Sequence, residues 1–86
     1  MNQAQFIKAK LTASKPQFKD LIGLTESGKT SDLIDFCRLM HPTCSLDAQG
    51  SKCNVHTGKS HFVYTIYNGH ILKTNVYTET KTIYKI

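Results

Sequence analysis

The pattern of apolar and polar positions changes its period about halfway along the chain. In the first half it repeats at helical spacing. Ala4, Ile7 and Leu11 share one face of a segment from Asn2 to about Thr12 that is rich in helix-favouring Gln, Ala and Lys. Ser14 is placed to cap a short helix from Lys15 to Ile22, with Phe18, Leu21 and Ile22 at i, i+3, i+4 and Gly23 to end it. Ser31 and Asp32 open a third helix whose stripe is Leu33, Ile34, Phe36, Cys37 and Met40, and His41-Pro42 closes it.

In the last third the period shortens to two. Ser60 to Tyr67 and His70 to Thr78 read as strands joined by Asn68-Gly69, a strong two-residue hairpin signal. That turn pairs Ile66 with Ile71, Thr65 with Leu72, Tyr64 with Lys73 and Phe62 with Asn75, and sets His61 opposite Val76. A turn near Glu79-Thr80 leads to a third strand, Lys81 to Ile86. One face collects Val63, Leu72, Val76 and Ile83, the other Phe62, Tyr64, Ile66, Ile71, Tyr77 and Tyr84. One of them must bury against the helices, and the other keeps apolar or aromatic residues near solvent as a contact surface. Residues 43–60, polar and holding Gly50 and Gly58, read as an irregular loop. The expected fold is α+β: two or three short helices on a three-stranded antiparallel sheet, in one domain spanning residues 1–86.

A long loop in so small a domain calls for a fastening, and the sequence offers one. His41 and Cys44 are mirrored by Cys53 and His56, in the order His-x2-Cys-x8-Cys-x2-His. Zinc is commonly held by two such short-spaced pairs. The expectation is a structural zinc site on His41, Cys44, Cys53 and His56, with Cys37 and His61 as competing ligands. Against it stands the simpler alternative that Cys37 is a buried apolar residue and the others are unconnected.

The run Gly23-Leu-Thr-Glu-Ser-Gly28-Lys29-Thr30 matches G-x4-G-K-[ST] and precedes a helix. Over these eight residues it resembles the phosphate-binding loop of P-loop nucleotide hydrolases, which would imply backbone N–H groups cradling a phosphate. The strand that should enter the loop and the parallel sheet are both missing from the pattern. A polar helix cap, able at most to hold a lone phosphate near Lys29, Thr30 and Ser31, is the reading.

Charge adds a partner class. Residues 1–19 carry four lysines and no acid, residues 20–47 sum to −3, and residues 48–86 sum to +4, for a net charge of +5. Two basic ends flanking an acidic middle favour a polyanionic or acidic partner. Ten of the eleven positive charges are lysine, which lacks the bidentate fork that reads base edges. Lys8, Lys10, Lys15, Lys19 and Lys73, with Tyr64, Tyr77 and Tyr84 as stacking rings, form the expected contact set for a nucleic acid, a protein or a nucleoprotein complex. Three cysteines cannot all pair within one chain, and no signal peptide or membrane-spanning run is visible, so a cytoplasmic setting with no membrane partner is expected. No coherent catalytic constellation appears. The expected function is that of a non-enzymatic binding protein. Size and character fit phage and mobile-element accessory proteins, among which are inhibitors of host defence such as anti-CRISPR proteins. A zinc-stabilised regulator binding DNA or RNA directly is the competing expectation.

Overall fold

The computed structural model describes residues 3–11 and 13–86, leaving out the side chains of Leu11 and Phe18. Three helices, α1 (Gln3–Leu11), α2 (Phe18–Leu21) and α3 (Thr30–Met40), precede five strands: β1 (Ser45–Gln49), β2 (Lys52–His56), β3 (His61–Tyr67), β4 (His70–Asn75) and β5 (Lys81–Lys85). The strands form one antiparallel sheet in the order β1-β2-β3-β4-β5. The α+β class stands, but the sheet has five strands where three were expected.

The two extra strands come from the segment read as a loop. Leu46 and Ala48 alternate with Ser45, Asp47 and Gln49, and Cys53 and Val55 alternate with Lys52, Asn54 and His56. Gly50, at φ 57°, makes the tight turn between them. The period-two signal is there, but Ser, Asp, Ala, Gln, Lys and Asn carry it, all weak strand formers. Burial under α3 decides the matter: Cys53 and Val55 are fully buried, and Leu46 and Ala48 pack against the same core.

The β3–β4 register is the one the Asn68-Gly69 turn dictates: Ile66 with Ile71, Thr65 with Leu72, Tyr64 with Lys73, Phe62 with Asn75. β4 stops at Asn75, three residues earlier than the pattern implied. The Asn75 side-chain oxygen there accepts the N–H groups of Tyr77 and Thr78 and curls the chain into a turn. The Val76 N–H donates to the His61 carbonyl at 2.9 Å, which ties that turn back to β3.

The core lies between α3 and the face carrying Val55, Tyr64, Ile66, Ile71 and Tyr84. At its centre Phe36 meets Phe6, Tyr64 and Tyr84 edge-on, with ring centroids 6.2, 6.0 and 5.2 Å away. α3 lies over β1, β2 and β3, while α1 packs against β5. Of the stripe expected on α3, Leu33, Phe36 and Cys37 are buried, and Ile34 and Met40 are half-buried.

The connection between α1 and α3 is a strap. Ser14 exchanges both backbone hydrogen bonds with Ile83 of β5, at 3.0 and 2.8 Å, instead of capping a helix. α2 is correspondingly short and begins after Gln17, whose N–H is accepted by the Asp20 carboxylate at 2.9 Å. Glu26 then bridges to Tyr67 of β3. The strap thus joins β5 to β3 across β4. Thr65, Leu72 and Ile83, on the sheet face turned away from α3, are buried. That second apolar face is therefore covered at these three positions. The expected cap at Asn2, the helix end at Thr12 and the packing of Leu11 and Phe18 lie outside the described residues.

Candidate functional site

The paired Cys/His pattern does not come together. Residues three apart on a strand point to opposite faces of a sheet, so Cys53 enters the core under α3 while His56 lies on the other face. His56 stacks there on its cross-strand partner His61, centroids 4.3 Å apart, and the His61 Nε2 lies 3.0 Å from the side-chain oxygen of Asn54. Cys44 is half-buried, and its carbonyl accepts from the Arg38 guanidinium at 3.3 Å. Among the described residues no three His, Cys, Asp or Glu side chains are grouped to hold a metal ion. The expected zinc site, and the fastened loop it was to serve, are both replaced by the β1–β2 hairpin.

The remaining thiols are core residues. Cys37 and Cys53 are fully buried and neighbour each other in the core, and the Cys53 thiol lies 4.0 Å from the Asn54 carbonyl. Burial pushes both thiols above their ordinary range, Cys37 further because Cys53 faces it. Neutral thiols of this kind are poor nucleophiles and poor ligands. Cys37 and His41 do not form a catalytic pair, because His41 is engaged elsewhere. Its backbone N–H closes α3 on the Cys37 carbonyl at 2.8 Å, its ring stacks on Phe62 with centroids 5.4 Å apart, and its Nε2 lies 2.6 Å from the Tyr64 hydroxyl. Burial, and then the Lys73 charge, hold the imidazole below its ordinary pKa. Burial also raises the Tyr64 phenol far above its usual range, so it stays protonated and suited to donate to a neutral imidazole.

The phosphate-loop letters serve the strap. Ser27 N–H donates to the Ile66 carbonyl, the Ser51 hydroxyl to the Glu26 carboxylate at 2.6 Å, and the Thr30 hydroxyl to the Gly50 carbonyl at 2.7 Å. Gly28 sits at φ 118°, and a Cβ there would stand 2.9 Å from the Ile66 side chain. These glycines and hydroxyls fasten the chain to β3 and to the β1–β2 turn. Among the described residues no strand enters the loop.

Of the expected contact residues, Tyr64 and Tyr84 are buried, at 0 % and 4 % exposure, and are withdrawn as stacking rings. The aromatic face on which they lie is the one α3 covers. Lys73 is half-buried with its ammonium 4.3 Å from the Phe62 centroid, a cation–π contact inside the fold. Tyr77 differs: it projects from the β4–β5 turn and is 69 % exposed.

The lysines of the two chain ends are carried on adjoining elements, which their sequence positions conceal. α1 packs on β5 and Ser14 pairs with β5, so Lys8, Lys10 and Lys15 from the amino-terminal end share a margin with Lys81 and Lys85 from the carboxyl-terminal end. All five are exposed, and neither residues 3–19 nor residues 81–86 contain an acid. Lys19 follows on α2. Asp47 is exposed on β1, the strand farthest from β5 in the sheet order, and Asp35 is exposed on α3. The expected partner set missed Lys81 and Lys85; their charge was visible, but their neighbours are set by tertiary contacts.

No protein-family model, curated protein or solved structure matches the chain. No helix among the described residues is long and apolar enough to cross a membrane.

Proposed function

We propose that this is a non-enzymatic binding protein of the cytoplasm that engages a nucleic acid, bare or within a nucleoprotein complex, through the lysine-rich margin formed by α1, the Ser14 segment and β5. The observation that supports it is the junction of Lys8, Lys10, Lys15, Lys81 and Lys85 on adjoining elements free of acidic residues. Clustered lysines neutralise phosphates and release counterions without reading base edges, so binding is tolerant of sequence and steep in salt. Tyr77, exposed on a turn held by Asn75, adds a ring able to stack on an unpaired base. An accessory inhibitor of a nucleoprotein machine, of the kind phage and mobile elements carry, is the setting this reading fits.

The test is a salt titration of binding to random single- and double-stranded oligonucleotides. Log–log plots should fall with a slope of about 0.7 to 0.9 per phosphate neutralised. Absence of binding at low salt would overturn the nucleic-acid reading and leave an acidic protein face as the ligand of these lysines.

A further inference from the structure

The opposite edge of the sheet, β1, is left open. In β2, the carbonyl of Ser51 accepts from the Ile66 N–H, which fixes the alternation of the ladder: Ser51, Cys53 and Val55 turn their backbone groups toward β3. Lys52, Asn54 and His56 therefore turn theirs toward β1, where their partners are Gln49, Asp47 and Ser45. The N–H and C=O groups of Leu46 and Ala48 are left pointing outward. Among the described residues no backbone hydrogen bond reaches them. The flanking Cys44 is already engaged, its N–H near the His41 carbonyl at 3.4 Å and its carbonyl on Arg38. The open stretch is thus two outward-facing residues long, with Asp47 between them.

Soluble proteins usually shield such an edge with lysine, proline, a bulge or a covering segment. β1 contains no lysine or proline and runs in unbroken register with β2. Its side chains specify the occupant. Leu46 and Ala48 lie half-buried on the α3 side, and Asp47 is exposed on the other. A second copy pairing antiparallel in the register that uses both outward residues would set Leu46 against Ala48 and Asp47 directly against Asp47, two like charges at the closest cross-strand spacing. A strand with a basic residue at that position, flanked by apolar ones, fits on both faces.

We propose that β1 is a docking edge for an extended segment of another protein in which a lysine or arginine lies between two apolar residues. The segment pairs with the backbone of Leu46 and Ala48, its apolar side chains extend the core beside them, and its cation faces Asp47.

The probe is a capped heptapeptide with lysine at its centre, valine on each side and threonine beyond, titrated into the full chain with amide exchange followed by NMR. Binding should slow exchange at Leu46 and Ala48, which exchange freely beforehand, and leave Asp47 and Gln49 protected throughout. Ala48→Pro removes only an outward N–H and should weaken binding by roughly tenfold or more. Asp47→Lys should reverse the preference between this peptide and one with central glutamate. Protection of Leu46 and Ala48 in the free monomer, binding indifferent to both substitutions, or no binding at millimolar peptide would overturn the proposal. Dimerisation of the unaltered chain through β1 at neutral pH would overturn the choice of a foreign strand.

Discussion

The two edges of the sheet are finished differently. At β5 the chain shields its own edge: Ser14 takes both backbone groups of Ile83, and the neighbouring outward positions carry Lys81 and Lys85. At β1 the outward positions are Leu46 and Ala48, with one acid between them and, among the described residues, no covering segment. Shielding and exposure of backbone thus divide the sheet into a closed, lysine-bearing edge and an open one. Stability follows the same division. Ile83 on the closed edge is fully buried, whereas Leu46 on the open edge is only half so.

The largest test of this contrast compares those two residues. Ile83→Ala should cost about 2–5 kcal/mol in urea unfolding, and Leu46→Ala less than half as much, because a half-exposed site collapses or fills with water. Equal costs would erase the difference between the edges. The strap that closes the β5 side depends on a backbone that only glycine tolerates at Gly28. Gly28→Ala meets Ile66 and a left-handed φ, and should cost about 1–3 kcal/mol with exchange quickened first at Ser27 and Asn68.

Acid should loosen the other half. Because His41 is held below its ordinary pKa of 6.5, the unfolded chain binds the proton first as pH falls. Stability from this group is therefore full above 6.5 and declines from there down to its lowered folded value, with a slope of at most about 1.4 kcal/mol per pH unit. Urea midpoints between pH 8 and 4.5 check the sign, and His41→Asn should remove this component of the slope.

On the lysine margin, replacing Lys81 and Lys85 by glutamate should leave stability within about 0.5 kcal/mol. The same change should lower the salt slope of oligonucleotide binding by about one for each lysine lost. The smallest effect is expected at Asp47. Asp47→Asn should scarcely change the unfolding midpoint, yet sedimentation should detect concentration-dependent pairing once the like charges are gone.

How much of this could be read in advance depended on how locally each feature is encoded. The β3–β4 hairpin was legible because Asn68-Gly69 and a run of aromatic and β-branched residues act within a few positions of one another. The stripe on α3 was legible for the same reason. The β1–β2 hairpin was not, because Ala48, Asp47 and Asn54 disfavour strands and are held in one by the core above them. The spacing of His41, Cys44, Cys53 and His56 suggested a tetrahedral knuckle, but spacing carries no information about sheet faces until the register is known. Tyr64 and Tyr84 were legible as aromatic strand residues and illegible as core, since two apolar faces competed for the helices.

The sequence by itself determined the order of helices before strands, the register of the central hairpin, and a net charge concentrated at the chain ends. Those properties arise from neighbours within a turn or two of helix, or directly from composition. Only the tertiary structure decided that the aromatic face is interior, that Cys37 and Cys53 lie in the core, that the two basic ends lie on adjoining elements at β5, and that β1 is left open. Each of these depends on which distant elements exclude water from which surface.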